Sequence, residues 1–208
     1  MNDHYVINLG RQLGSGGKEI GEKLANDLGI AFYDKELINL ASEESGLCRE
    51  FFEKADEKAS QTLLGGLFGT RFPFITEGAY PYNSYLSNDS LFKIQSDVIR
   101  HLAEKQSCLF VGRCADYILE DIPNHLNVYV YAPDEARLKN CVENLQMDPQ
   151  TAKKMMRDVD AARNRYHKAY IPGWQSVFDH KDLMIDSSRF GIDGTAKILA
   201  DIVKNQWG

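Results

Sequence analysis

A glycine-rich loop near the start of the chain, from Gly14 to Lys18, constrains the fold more than any other feature. It follows a β-rich run at residues 5–9 and precedes apolar residues that recur every fourth position up to Gly29. A phosphate cradle needs inward-facing backbone N–H groups at a helix N-terminus, residues without a Cβ, and a lysine that reaches the outer phosphates. The strand, loop and helix order therefore predicts phosphate binding, with a purely structural turn as the alternative. The predicted cradle consists of Gly14, Ser15, Gly16, Gly17 and Lys18.

The loop matches the P-loop pattern G-x-x-x-x-G-K-[ST] only in part. Aligned on Lys18, Gln12 stands at the first glycine and Glu19 at the magnesium-binding hydroxyl. A dinucleotide-binding fold is the rival interpretation, because Asp34 ends the second predicted strand where a ribose-binding acid would lie. The glycine spacing argues against it, since G-x-G-x-x-G would need glycine at position 19.

The rest of the chain alternates predicted strands and helices. Further strands are expected at residues 30–33, 107–112, 126–131 and 183–186, with helices between them and at the C-terminal end. We predict an α/β fold of the P-loop NTPase class, with a doubly wound five-stranded parallel sheet and helices on both faces. We expect a single domain over residues 1–208, with a core at 1–46 and 89–208, an insertion at 47–88 and an arginine-rich lid at about 157–175.

The insertion is rich in glycine, proline and aromatic residues, including Phe72, Phe74, Tyr80 and Tyr82. It is interpreted as a cover that binds the acceptor, a contact through which the protein could form a homo-oligomer, or a poorly ordered excursion. Composition does not separate these three alternatives.

Charge and composition exclude several classes of protein. A net charge of −6 disfavours binding to extended nucleic acid, which depends on many cationic contacts. No apolar run approaches the roughly 20 residues that cross a bilayer, so we expect a cytoplasmic protein without a membrane partner. The four cysteines form no C-x-x-C pair and are expected to be reduced thiols, and the scattered histidines do not suggest a metal site.

Four groups of residues carry a resemblance to a known family. They are Arg11 to Gly17 with Ile20-Gly21, Phe32 to Ile38, Val111-Gly112-Arg113 with Ala115-Asp116-Tyr117, and Asp182 to Asp186. In these segments the chain resembles the cytidylate kinase-like family of P-loop nucleoside monophosphate kinases. The resemblance implies phosphoryl transfer from ATP with Mg²⁺ to a small phosphorylated acceptor, under a lid rich in arginine.

Phosphoryl transfer requires cations around the migrating group, so arginines and lysines are the candidate catalytic residues. Arg113 follows the third predicted strand and resembles the arginine that grips the acceptor phosphate; a surface ion pair is the alternative. The lid resemblance adds arginines of one charged helix, which could equally form a solvated surface. The predicted catalytic set is Lys18, Arg113, Arg157, Arg163 and Arg165.

Acceptor binding is expected at Asp34, Lys35, Arg113 and Asp116, although Asp34 would also serve as a helix N-cap. Glu19 could replace the missing hydroxyl as a metal ligand, or could repel phosphate. The leading functional hypothesis is a kinase acting on CMP, dCMP or a related nucleotide. The alternatives are a nucleotide-binding or regulatory protein without turnover, and a dinucleotide-binding protein.

Overall fold

The computed structural model of the protein describes residues 4–44 and 88–208. Within these residues the strands are β1 (Val6–Arg11), β2 (Ala31–Tyr33), β3 (Cys108–Val111), β4 (His125–Tyr131) and β5 (Leu183–Asp186). The helices are α1 (Gly17–Leu28), α2 (Lys35–Glu44), α3 (Asn88–Lys105), α4 (Ala115–Ile118), α5 (Asp134–Glu143), α6 (Pro149–Tyr170) and α7 (Ser187–Trp207).

The five strands form one parallel sheet in the order β2-β3-β1-β4-β5. This confirms the predicted α/β fold with a five-stranded parallel sheet. From β1 the chain runs toward the β2 edge, whereas from β3 it crosses to β4 on the other side of β1. The carboxyl ends of β1 and β3 therefore border a crevice of the kind that binds ligands in open α/β sheets.

The strands bury side chains on both faces of the sheet. Ile7 and Leu9 of β1 lie in a core that includes residues of α1 and α7, whereas Val6 lies in a second core with residues of α2, α3 and α4. On this second face, Asn8 Nδ2 donates to Asn127 Oδ1 across the β1–β4 pair at 2.8 Å. Burial on both faces explains why the strands are almost continuously apolar in the sequence.

Most element boundaries follow the predicted signals. Gly29 ends α1 in the left-handed conformation, with φ 66°, as predicted. Helix α6 begins at Pro149, three residues before the predicted start at Ala152, because the Asp148 carboxylate caps the amides of Gln150 and Thr151. The short helix α4 was not predicted, and α7 is interrupted at Gly191, which has φ 68°.

The insertion predicted at residues 47–88 lies outside the described residues, except for its last residue, which begins α3. Cys48 also falls outside them. In the described segments, no helix combines the length and apolar character that a membrane span requires.

Candidate functional site

The glycine loop joins β1 to α1 and is held by its carbonyl groups. Arg137 Nε donates to the Leu13 carbonyl at 2.8 Å, and Asn140 Nδ2 donates to the Gly14 carbonyl at 2.9 Å. The Ser15 carbonyl accepts from Ser187 Oγ at 2.7 Å. Side chains of α5 and α7 therefore fix the loop through its acceptors, whereas within residues 4–44 and 88–208 no acceptor bonds the backbone amides of Gly16, Gly17 and Lys18.

Two glycines of the loop have left-handed backbones. Gly14 has φ 81°, and a Cβ there would lie 2.6 Å from the Arg137 carbonyl oxygen. Gly16, the residue before α1, has φ 73°. This close packing behind the loop and the open amides in front of it fit a polyphosphate at the N-terminus of α1.

The structure places Lys18 away from the position predicted for it. Because α1 begins at Gly17, Lys18 is the second residue of the helix, and its Nζ lies 2.7 Å from Asp34 Oδ2 and 3.7 Å from Glu36 Oε2. The hydrogen bond to Asp34 raises the pKa of Lys18. The ammonium group thus pairs with two carboxylates at the start of α2 instead of facing the loop.

Asp34 caps helix α2 and holds Lys18 at the same time. Its Oδ1 accepts from the amides of Glu36 at 3.0 Å and Leu37 at 3.1 Å, which is N-cap geometry. Burial alone would raise the pKa of Asp34, but the bonds to Lys18 and to the two amides outweigh burial and lower it. Both oxygens of this predicted substrate-binding residue therefore have partners within the protein.

A cavity of about 390 Å³ opens beside the loop, between the carboxyl ends of β1 and β3 and helix α6. Aromatic and histidine rings form part of its wall, and five cationic side chains line it. The rings are Tyr129, Tyr166, His167 and Trp174, and the cations are Arg11, Lys35, Arg113, Arg163 and Lys181. The cavity lies at the sheet crevice described above.

Arg113 enters this cavity from a strained turn at the end of β3. Gly112, Arg113 and Cys114 have φ values of 81°, 59° and 57°, so three successive residues are left-handed. Non-glycine residues rarely adopt this conformation, and it persists only where the surroundings hold it. The Arg113 guanidinium lies 5.5 Å from the centre of the Tyr166 ring, and its buried Nε has no hydrogen-bond partner in the described part of the chain.

The charge of the cavity is predominantly positive. Arg163 pairs with Asp160 at 3.4 Å, and Lys181 pairs with Asp116. In contrast, among the described residues no carboxylate oxygen lies within 4 Å of the charged nitrogens of Arg11, Lys35 or Arg113. Three cations are thus left for an anionic ligand.

Burial lowers the pKa of two of these cations, Arg11 and Lys35. Burial, together with the charge of Arg163, lowers the pKa of Arg11 to about 9. Burial and the nearby charge of Arg113 also lower the pKa of Lys35. Arg11 remains protonated at neutral pH, and a bound anion would favour its charged form.

Sequence reasoning assigned no role to Arg11, although Arg11 stands in a segment that carries the family resemblance. It ends β1, and its side chain passes the first residue of α1: a Cβ on Gly17 would lie 2.5 Å from Arg11 Cβ. Its Nη1 occupies the space that a Cβ on Gly112 would fill. The signal in the sequence is a cation directly before a glycine loop, with glycines at both positions that it crosses.

The predicted lid arginines separate in the structure. Arg163 lines the cavity and donates through Nη1 to the Arg11 carbonyl at 3.0 Å. Arg165 is exposed and outside the cavity, because a residue two positions along a helix lies about 200° around its axis. Arg157 is also exposed, and it borders a separate groove near Arg137.

Asp116 does not line the cavity, although it was predicted to bind the acceptor. Its carboxylate pairs with Lys181 Nζ, and the two side chains are 8% and 4% exposed. Lys181 also donates to the Asp179 carbonyl at 3.0 Å and lies 5.6 Å from the Trp174 ring centre. Lys181, which does line the cavity, was missed because its partner is 65 residues away in the sequence.

The described residues include no cluster of three or more His, Cys, Asp or Glu side chains that could enclose a metal ion. Mg²⁺ in phosphoryl-transfer sites usually keeps waters and binds through one or two carboxylates plus substrate phosphates, so such a cluster is not required. Glu19, the predicted ligand, is exposed in the first turn of α1, beside the loop amides.

Comparison with solved structures agrees with the fold. The crystal structure of an uncharacterized protein from Eubacterium ventriosum matches with a TM-score of 0.69 and 23% identity, over 97% of this chain and 99% of that chain. A shikimate kinase from Bacteroides thetaiotaomicron matches with a TM-score of 0.53 and 12% identity, over 96% of this chain and 98% of that chain. At these identities the likeness concerns the fold.

No curated protein matches the sequence. The family comparison is more specific, because the model of the cytidylate kinase-like family matches residues 6–189, which include the glycine loop, the Arg113 turn and helix α6. The chain has a P-loop kinase fold and belongs to the cytidylate kinase-like family.

Proposed function

We propose that the protein transfers the γ-phosphoryl group of ATP to a small phosphorylated acceptor, with CMP or dCMP as the leading candidates. The observation that carries this proposal is the position of the cationic cavity. Arg11, Lys35 and Arg113 converge there without carboxylate partners among the described residues, directly beside a glycine loop with open amides. Two phosphate-binding regions at one sheet edge suit a donor and an acceptor that are both phosphorylated.

The donor would bind at the loop. Its phosphates would accept hydrogen bonds from the amides of Gly16, Gly17 and Lys18, where the helix N-terminus favours negative charge. Mg²⁺, when bound, would offset the negative charge of the donor phosphates. Glu19 is the proposed protein ligand of the ion, and Lys18 holds Asp34 at the edge of the site.

The acceptor phosphate would bind Arg113 and Lys35. Arg113 offers the planar fork that matches phosphate oxygens, and its unpartnered Nε indicates hydrogen-bonding capacity that the described residues leave unused. Arg163, anchored on Asp160 and on the Arg11 carbonyl, is placed to balance charge as the phosphoryl group moves. The aromatic wall, including Tyr166, provides surface against which a base could pack.

A coupled ADP-release assay over a panel of nucleoside monophosphates, with shikimate and gluconate as non-phosphorylated acceptors, tests the proposal. We expect turnover with a pyrimidine monophosphate and none with the non-phosphorylated acceptors. Arg113→Lys keeps the charge but loses the fork, so we expect the acceptor KM to rise at least about tenfold.

Two arginines on one helix provide a matched control. Arg163→Ala should lower kcat by at least about 100-fold, whereas Arg165→Ala should stay within about threefold of the wild type. Binding of ATP without turnover of any acceptor would favour the nucleotide-binding alternative. Tight binding of NADH with no response to ATP would favour the dinucleotide-binding alternative.

A further inference from the structure

The helix start defines a different alignment of the glycine loop with the P-loop pattern. In G-x-x-x-x-G-K-[ST], the second glycine precedes the helix and the lysine opens it. Gly16 precedes α1 with φ 73°, and Gly17 opens the helix. The lysine position is therefore Gly17, and the first glycine of the pattern, six residues earlier, is Arg11.

In this alignment the chain departs from the pattern at Arg11, at Gly17 and at Lys18, which stands at the Ser/Thr position, and the first two departures are reciprocal. A cation stands where the pattern has glycine, and a glycine stands where it has the cation. The structure shows why they occur together, because Arg11 Cβ and Cγ lie 2.5 Å and 2.9 Å from the point where a Cβ on Gly17 would be. Real Cβ atoms do not come so close, so a side chain at one position excludes a side chain at the other.

The position of the Arg11 guanidinium in the cavity also suits contact with a phosphate. From the end of β1 the side chain passes the first residue of α1 and reaches Gly112 at the carboxyl end of β3, and it lines the cavity together with Arg113. No described carboxylate pairs with it. Lys18, in contrast, is 49% exposed in its side chain and bound to Asp34, so its ammonium is committed elsewhere.

We propose that Arg11 supplies the donor-phosphate cation of this P-loop, in the place of the lysine, by an exchange of glycine and cation between positions 11 and 17. This inference rests on the proposed function. As the P–O bond to ADP breaks and the bond to the acceptor oxygen forms, negative charge moves onto the ADP oxygen. Arg11 stays protonated and stabilises that charge through its N–H groups.

Three variants test the exchange. Arg11→Met removes the cation with little change in length, Lys18→Met is the matched change at the position predicted from sequence, and the double variant Arg11→Gly/Gly17→Lys restores the P-loop order. Each is measured by coupled ADP release, by calorimetric binding of tripolyphosphate with Mg²⁺, and by melting temperature without ligand.

We expect Arg11→Met to lower kcat at least about 100-fold and tripolyphosphate affinity at least about tenfold. Its unliganded melting temperature should be unchanged or higher, because a partly buried cation without a carboxylate partner does not stabilise the empty protein. Lys18→Met, which keeps the backbone amide, should lose less tripolyphosphate affinity than Arg11→Met. The double variant should recover at least about tenfold in tripolyphosphate affinity over Arg11→Met.

A separate measurement of stability tests the steric basis of the exchange without an activity assay. Gly17→Ala should destabilise the wild-type background, where its methyl group meets Arg11, and should have little effect in an Arg11→Gly background. Equal destabilisation in both backgrounds would overturn the exchange, whatever the activity of the protein.

The remaining outcomes separate this inference from the proposed function. If the wild type binds tripolyphosphate but phosphorylates no acceptor, the proposed function fails and the affinity ratio of Arg11→Met to Lys18→Met decides the inference. If Lys18→Met loses as much affinity as Arg11→Met, or more, Lys18 is the donor-phosphate cation and the inference is wrong. A wild type that binds no tripolyphosphate overturns both.

Discussion

Replacing Asp116 with asparagine leaves Lys181 as a buried ammonium without its carboxylate. Both side chains are less than a tenth exposed, and removing one partner of such a pair usually costs about 3–5 kcal/mol. Lys181 keeps its bond to the Asp179 carbonyl at 3.0 Å, so the lower end of this range applies. We expect a loss of about 3 kcal/mol in the free energy of unfolding, and a melting temperature lower by about 6–12 °C.

Urea unfolding followed by circular dichroism at neutral pH measures this loss. Asp121→Asn, which changes an exposed aspartate five residues away, is the matched control and should leave the free energy of unfolding unchanged within about 0.5 kcal/mol. The double variant Asp116→Leu/Lys181→Met removes both charges and should cost less than Asp116→Asn alone. If Asp116→Asn keeps wild-type stability but raises the acceptor KM, the carboxylate binds substrate, as the family resemblance implied, and the structural assignment is refuted.

Three further predictions concern the loop, the cap and the thiols. Gly14→Ala should lower the free energy of unfolding by about 2 kcal/mol or more, because its methyl group meets a backbone carbonyl of α5. Gly29 is also left-handed but has open space around it, so Gly29→Ala should lower the free energy of unfolding by about 1 kcal/mol. Urea unfolding of the two variants compares these losses. The pKa of Asp34 is below its usual value, so its ionised form stabilises the protein above about pH 4 and this contribution is lost as the pH falls through the lower folded value. The urea midpoints of the wild type and Asp34→Asn should therefore differ by a constant amount above about pH 5 and converge as the pH falls below about 4, and a difference that stays constant there would contradict the assignment. Burial raises the pKa of Cys108 to about 12 and also raises that of Cys114, so neither thiol should react with DTNB before unfolding; labelling of either in the native protein, located by mass spectrometry, would contradict their burial.

Local sequence signals were sufficient for the fold. The apolar run at β3 predicted a buried parallel strand, and Gly29 predicted the end of α1, because both follow from backbone geometry and burial that act within a few residues. The order of these elements then indicated a doubly wound sheet with a phosphate-binding loop at its edge. The five-stranded parallel sheet confirms the predicted sheet, whereas phosphate binding by the loop stays a prediction.

The site depended on contacts between distant segments. The sequence pattern predicted that Lys18 faces the loop. In the structure, the start of α1 directs Lys18 to Asp34, and Arg11 lines the cavity. The sequence also grouped Arg163 and Arg165 in one lid, whereas the docked face of α6 turns Arg163 inward and Arg165 to solvent.

The sequence by itself determined which kind of sheet forms and where its glycine loop lies, since hydrophobic periodicity and glycine positions act locally. Tertiary packing decided which cations line the cavity beside that loop. The direction of a long charged side chain is set by the groups that meet it after folding, such as the Arg11 carbonyl beside Arg163 and Asp116 beside Lys181. Those partners come from other elements of the chain, and their proximity exists only in the folded protein.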